Sequence, residues 1–293
     1  MASALEQKLD ALLARLEPLL PEANAVDWSA PAFRWRRRQF LGLTHGALEP
    51  VHRVARIDAD DLQHVEAQTV ALLANTEQFV RGLPANNVLL TGARGTGKSS
   101  LVRACLARFA GRGLRLIEVD KHDLTDLAEI AAQVAARPER FVLYCDDLSF
   151  DAGENSYKAL KAALDGSVAA PPENVLIYAT SNRRHLMPEY MRENLDTRYD
   201  VDGEIHPGET VEEKISLSER FGLWLSFHPF RQDDYLDIVA HWLAHYGLPA
   251  EVVAQARGEA LQFALQRGSR SGRVAVQFAR DYAGRHGLAA PRG

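Results

Sequence analysis

Residues 87–100 read NVLLTGARGTGKSS, a short β-rich apolar run that breaks into three glycines, a lysine and two serines. Gly92, Gly97, Lys98 and Ser99 fall on the spacing G-x-x-x-x-G-K-[ST], with Gly95 inside it, the pattern of a loop that wraps phosphates. Glycines let the backbone turn its N–H groups inward, and a helix starting at the loop's end adds the positive end of its dipole. The context suits that mechanism: a strand precedes the loop, and SSLVRACLARFA continues as a helix. The alternative, a glycine-rich turn carrying a surface lysine, explains neither flank. Gly92, Ala93, Arg94, Gly95, Thr96, Gly97, Lys98, Ser99 and Ser100 are therefore the candidate phosphate-binding residues. Lys98 would reach the β- and γ-phosphates, and the Ser99 hydroxyl would ligate Mg2+.

The same logic explains a doubled charge downstream. FVLYCDDLSF, residues 141–150, ends an apolar run on two adjacent carboxylates, which repel unless something positive lies nearby. An aspartate at the end of a neighbouring buried strand holds the magnesium shell in phosphate-loop enzymes, and Asp146 stands at that place. Asp147 would then orient or deprotonate the attacking water.

Around these two motifs, short apolar runs alternate with helical segments. NVLLT at 87, LRLIEV at 114, FVLYCD at 141, NVLIYAT at 174 and GLWLSF at 222 predict five buried parallel strands covered by helices on both faces. From residue 233 the strands stop, and DDYLDIVAHWLAHYG, EVVAQARGEALQFALQRG and SGRVAVQFARDYAG predict a three-helix C-terminal lid. Leucines at helical spacing over 4–20 and a second amphipathic segment over 59–81 predict two further helices. FRWRRRQF, residues 33–40, sets four arginines among aromatics and reads as a solvated basic helix face, with a nucleic-acid surface as the alternative. The division expected is an N-terminal helical region at 1–54, an α/β nucleotide-binding core at 55–230 and a helical lid at 231–293.

Bulk composition narrows the class. The net charge of −5, from 34 basic and 39 acidic side chains, gives no global footprint for nucleic acid, so any such contact would be local. The two cysteines, Cys105 and Cys145, sit inside apolar segments at no metal or redox spacing, which fits buried thiols in a reducing compartment. The N-terminal stretch carries Glu6, Lys8, Asp10 and Arg15 among its leucines and is no secretory signal. With no long uncharged apolar stretch to span a membrane, a cytoplasmic protein is expected.

Taken together, these segments resemble an AAA+ ATPase over roughly residues 55–285. The resemblance implies ATP and Mg2+ as cofactors, with Ser99 and Asp146 on the metal. It departs at Asp147, where the family usually has glutamate. ATSNRRH, at the end of the fourth strand, is similar to the segment where the family places a polar sensor between metal and γ-phosphate, and Asn182 is the match. SLSERFGLWLSF resembles the segment that supplies an arginine finger to a neighbouring subunit, which points to Arg220. GSRSGRVAVQFAR looks like the second sensor at the start of the last lid helix, with Arg273 the match and Arg270 the alternative. Ser271 would cap that helix. The strings NTEQFVRGLPANNVLLTGARGTGKSS, RFVLYCDDLSF and YATSNRRHLMPE resemble more closely a bacterial AAA+ family known only as a domain of unknown function.

What the resemblance implies is an ATP-hydrolysing module with Lys98, Asp147, Asn182, Arg220 and Arg273 in catalytic roles. It would act as a homo-oligomer that remodels or loads an unidentified protein or nucleic-acid partner, with no membrane involved. The alternative is a slow nucleotide-dependent switch or adaptor that signals by changing partners. Where many family members place an aromatic-glycine pore loop, this chain has EVDKHDLTDLAEI, without an aromatic and with Asp123 expected as a helix cap, so threading of an unfolded chain is disfavoured. The acidic stretch 199–214 is long for a connection and is expected either to contact a partner or to be a solvated loop.

Overall fold

The computed structural model describes residues 26–40, 43–55, 57–150, 155–165, 172–182, 198–199, 205–206 and 217–288. The predicted helix at 4–20 lies outside the described residues, as does most of the acidic stretch 199–214.

The five predicted strands all form. They are β3 (Val88–Gly92), β4 (Leu114–Glu118), β5 (Arg140–Cys145), β6 (Val175–Ser181) and β9 (Leu223–Phe227), and each pairs in parallel with its neighbours. The sheet has seven strands, not five. Two more, β1 (Ala32–Phe40) and β2 (Leu43–Val51), extend it in the order β2-β1-β4-β5-β6-β3-β9, with only β2 antiparallel. Arg198–Tyr199 (β7) and Ile205–His206 (β8) form a separate two-stranded pairing.

Alternation along the strands explains why both faces need cover. In β5, Phe141, Leu143 and Cys145 point into one core, while Val142 and Tyr144 point into the other. The first face is covered by Leu124, by α3 (Leu127–Val134) and by α4 (Asn155–Asp165) through Tyr157 and Leu160. The second is covered by α1 (Glu66–Val80), through Leu72 and Phe79, and by α2 (Lys98–Phe109), through Leu101, Cys105 and Phe109. Both cysteines are buried and unbonded, and burial pushes each thiol up to about 12. At ordinary pH they are inert core side chains.

The basic stretch 33–40 is a strand, not a helix face. Phe33 and Trp35 enter the first core, whereas Arg34 and Arg36 alternate with them outward. Each arginine meets a carboxylate brought from elsewhere: Arg34 with Glu118 at 2.6 Å, Arg36 with Asp120 at 3.2 Å, Arg37 with Asp126 at 2.6 Å and Arg38 with Glu49 at 2.6 Å. Half-exposed pairs of this kind contribute under about 1 kcal/mol each, and they account for all four arginines of the strand. The hairpin also corrects the expected helical region at 1–54, since residues 32–51 belong to the core sheet.

Three smaller corrections follow from local geometry. The helix expected over 59–81 begins at Glu66, because His64 adopts a left-handed backbone with φ +62° and only a 3₁₀ turn, Ala59–Asp61, precedes it. Asp123 caps no helix. It lies within a 3₁₀ segment, Lys121–Asp126, and faces Arg37 at 3.3 Å. The lid has four helices among the described residues, not three: α5 (Gln232–His245), α6 (Ala250–Gln255), α7 (Arg257–Gln266) and α8 (Gly272–Arg285). They close on their own core of Tyr235, Val239, Leu243, Ala260, Phe278 and Tyr282, and the Tyr235 hydroxyl donates to the Ala260 carbonyl at 3.0 Å. No helix among the described residues is long and apolar enough to cross a membrane.

Candidate functional site

The loop between β3 and α2 turns on glycines whose conformations no L side chain adopts easily. Gly92, Gly95 and Gly97 have φ of +125°, +72° and +101°. A Cβ on Gly92 would lie 1.9 Å from the Phe227 carbonyl oxygen of β9, so strand contact fixes that position as well. Gly97 starts α2, and the Thr96 hydroxyl ties the loop together by donating to the Ala93 carbonyl at 2.8 Å.

Lys98 is buried beneath this loop. Its Nζ donates to the carbonyls of Gly92 and Ala93, both at 2.7 Å, and to Asn182 Oδ1 at 3.1 Å. Burial pulls its pKa down to about 8, against the opposing pull of Asp146 and Asp147; the nearby Arg94 and Arg273 add to the lowering. Such a cation is held ready for a stronger negative charge than carbonyl oxygens provide.

Ser99 and Asp146 meet where the motifs require. The Ser99 hydroxyl donates to Asp146 Oδ1 at 2.8 Å, and the Thr180 hydroxyl donates to the same oxygen at 2.5 Å. Burial would raise the Asp146 pKa, but the Thr180, Tyr144 and Ser99 hydroxyls and the Asp147 amide turned toward it outweigh burial and hold it below the ordinary carboxylate value. A hydroxyl beside an ionised carboxylate is a hard oxygen pair of the kind that suits Mg2+.

Asp147 has a left-handed backbone, φ +52°, supported by its N–H donating to Thr180 Oγ1 at 2.9 Å. Its side chain is held by a different partner from those of Asp146: Asn182 Nδ2 donates to Asp147 Oδ1 at 2.5 Å. Asn182 therefore bridges Lys98 and Asp147, joining the ends of β3, β5 and β6. Thr180 escaped sequence reading, although it lies in the same ATSN string. Its hydroxyl fixes both acidic neighbours at once.

The lid approaches the loop through the N-terminus of α8. Ser271 caps that helix, its Oγ accepting from the Val274 amide at 3.3 Å. A Cβ on Gly95 would stand 2.8 Å from Ser271 Cβ and Oγ. Arg273 lines the cleft between lid and core together with Arg94, Lys98, Ser99, Asp146, Asp147 and Asn182, whereas Arg270 does not. The cleft measures about 1420 Å³, and residues 57–63 with Ile238 and Trp242 form a further part of its wall. That wall is fastened across core and lid by His241 to Asp61 at 3.0 Å and His64 to Asp237 at 3.4 Å. Arg220 lies outside the cleft, its Nε donating to the Asp165 carboxylate at the end of α4.

A family model described as "Protein of unknown function (DUF815)" matches residues 28–286. No curated protein matches the chain. Among solved structures, the ORC1 protein of Aeropyrum pernix, determined in complex with DNA, is similar at 17% identity. The match covers 79% of this chain and 63% of that one, with a TM-score of 0.51. A variant of Thermotoga maritima RuvB is 17% identical over 82% of this chain and 70% of its own, with a TM-score of 0.48. At such identities the likeness concerns the fold alone, a mostly parallel sheet flanked by helices.

Proposed function

The chain belongs to the DUF815 family, whose description assigns no chemistry, and on that premise we propose that it binds Mg-ATP in the cleft between core and lid and hydrolyses it. One observation carries the reading: Asn182 links Lys98 to Asp147 while Ser99 and Thr180 converge on Asp146. A purely structural loop has no use for a lysine, a hydroxyl and two carboxylates fixed by mutual hydrogen bonds.

In this reading the loop amides of Gly92 to Ser100 and the Lys98 ammonium bind the triphosphate, and Ser99 with Asp146 holds magnesium. The metal supplies neutralisation of charge on the β- and γ-phosphates. Asp147, aimed by Asn182, orients the attacking water and takes its proton. Arg273, beside Gly95 at the lid, relates nucleotide occupancy to lid position. Arg220 acts as a finger on a neighbouring subunit, where a trans arginine is worth roughly 10³–10⁵ in rate.

The module works as a homo-oligomer that uses hydrolysis to remodel or load a macromolecular partner, in a cytoplasmic setting. The 3₁₀ segment Lys121–Asp126, occupied with Trp35 and Arg37, supports a partner handled at the surface over a chain threaded through a pore. A slower switch is favoured by one feature, the capture of Arg220 by Asp165 within its own subunit. Calorimetry with ATP and magnesium, followed by turnover per subunit against protein concentration, tests the reading. Wild type binds and accelerates on assembly, and Lys98→Ala loses binding or hydrolysis. Absence of heat from the wild-type protein would overturn the proposal; turnover on the order of minutes that is independent of concentration would favour the switch.

A further inference from the structure

Arginines along β1, and Arg112 and Arg137, are paired with carboxylates. Three that line the nucleotide cleft are not. Arg103 and Arg108 on α2, and Arg280 on α8, reach the cleft wall with no ion pair or hydrogen bond among the described residues. The Arg103 Nε is buried with no acceptor among the described residues. A buried donor left unsatisfied is costly, so its retention points to a ligand acceptor.

Their placement is ordered. At about 1.5 Å per residue, Arg103 stands roughly 6 Å and Arg108 roughly 14 Å along α2 from Ser99. On α8, Arg273, Gln277 and Arg280 follow at helical spacing along one face of the cleft. The acids in the cleft do not neutralise this end: Asp61 is engaged by His241, Asp58 caps its own 3₁₀ turn, and Asp60 makes no ion pair with an arginine among the described residues. Moreover, about 1420 Å³ exceeds the roughly 300–1,000 Å³ of an ordinary small-molecule cleft.

We propose that Arg103, Arg108 and Arg280, with Gln277, form a distal subsite for a second phosphate group, carried on the same nucleotide whose triphosphate lies in the loop. Guanidinium forks match phosphate oxygens in geometry and charge. The favoured ligand class is thus a nucleoside triphosphate that bears a further phosphate on its ribose. The inference rests on the nucleotide reading and deepens it.

Calorimetry on the full chain with ATP, and with ATP carrying a ribose-linked phosphate, separates the two. Expected is binding of the doubly phosphorylated nucleotide at least about tenfold tighter than ATP, in keeping with the strength of bidentate Arg–phosphate pairs. Inorganic phosphate in the buffer should erode this advantage by competing for the subsite. In Arg280→Gln, an exposed change that avoids the packed Arg103, the advantage should shrink to about threefold or less while ATP affinity stays within about twofold. Arg103→Gln serves as the second variant and should shrink it as well. Equal affinity of wild type for both nucleotides, or an advantage untouched by either variant, would overturn the inference alone. Failure of wild type to bind ATP would overturn the reading beneath it. A short single-stranded oligonucleotide whose binding is lost in Arg280→Gln, with the two nucleotides bound alike, would replace the proposal with contacts to nucleic-acid backbone.

Discussion

Asn182 donates to Asp147 at 2.5 Å, so the polar residue at the end of β6 sets the direction of the second carboxylate at the end of β5. The same amide accepts from Lys98. Removing it would free the Asp147 carboxylate from its donor, while Lys98 stays held by the Gly92 and Ala93 carbonyls. Asn182→Ala is expected to lower kcat by about 10²-fold, comparable to loss of one preorganised donor, with nucleotide affinity changed less than about threefold. Single-turnover kinetics beside equilibrium titration would separate these effects; equal losses in binding and turnover would refute a role for Asn182 in aiming Asp147.

Gly95 has two reasons to stay glycine. Its φ of +72° disfavours any side chain, and a Cβ would meet Ser271 at 2.8 Å. Gly95→Ala is therefore expected to cost about 1–3 kcal/mol of stability by denaturant titration. Because the clash falls on the α8 cap, protease nicking in the lid should quicken before global unfolding does. Stability unchanged within error would mean that the lid does not rest on the loop.

Legibility in the sequence followed the range of the interactions. The five parallel strands from β4 to β9 in the sheet order and the loop at 92–99 are readable because an apolar parallel strand and a glycine turn are specified by residues adjacent in sequence. Strand β1 is not. Its alternation Phe33, Arg34, Trp35, Arg36 is the period of a strand, but the following run of arginines reads as a solvated helix unless the partners are known. Those partners, Glu118, Asp120 and Asp126, lie more than 80 residues downstream. Likewise Ser99 and Asp146 could be paired by motif, whereas Thr180, which fixes Asp146 and Asp147 together, is recognised only once β5 and β6 lie side by side. Asp165, the partner of Arg220, carried no sequence signal at all.

Lys98 offers a test by pH. Burial lowers its pKa to about 8, and a bound triphosphate would raise it again by placing anionic oxygens beside the ammonium. The bound form therefore holds the proton more tightly than the unbound form. By linkage, affinity should be independent of pH below about 7 and fall as pH rises through about 8, at most tenfold per unit. Proton uptake on binding, measured in buffers of different ionisation enthalpy, should rise from about half a proton at pH 8 to close to one at pH 9. Lys98→Gln should abolish the uptake; persistence of it would assign the proton to another group.

Arg220 and Asp165 provide the test of assembly. A finger that must reach a neighbour's phosphate competes with the carboxylate already bound to it in its own subunit. The pair is partly exposed, with 24% of the arginine and 41% of the aspartate side chain accessible, so the competition is worth under about 1 kcal/mol. Asp165→Asn should therefore lower the protein concentration at which turnover per subunit rises by up to about fivefold, as 1.4 kcal/mol is a factor of ten. Arg220→Ala should abolish that rise while sparing ATP binding. Mixing Arg220→Ala subunits with Lys98→Ala subunits discriminates further, because a finger in trans predicts recovery of turnover: the Arg220→Ala subunit keeps a competent cleft and receives its arginine from the Lys98→Ala neighbour. No recovery at any ratio would place Arg220 in a structural pair with Asp165 and leave the slow switch as the better account.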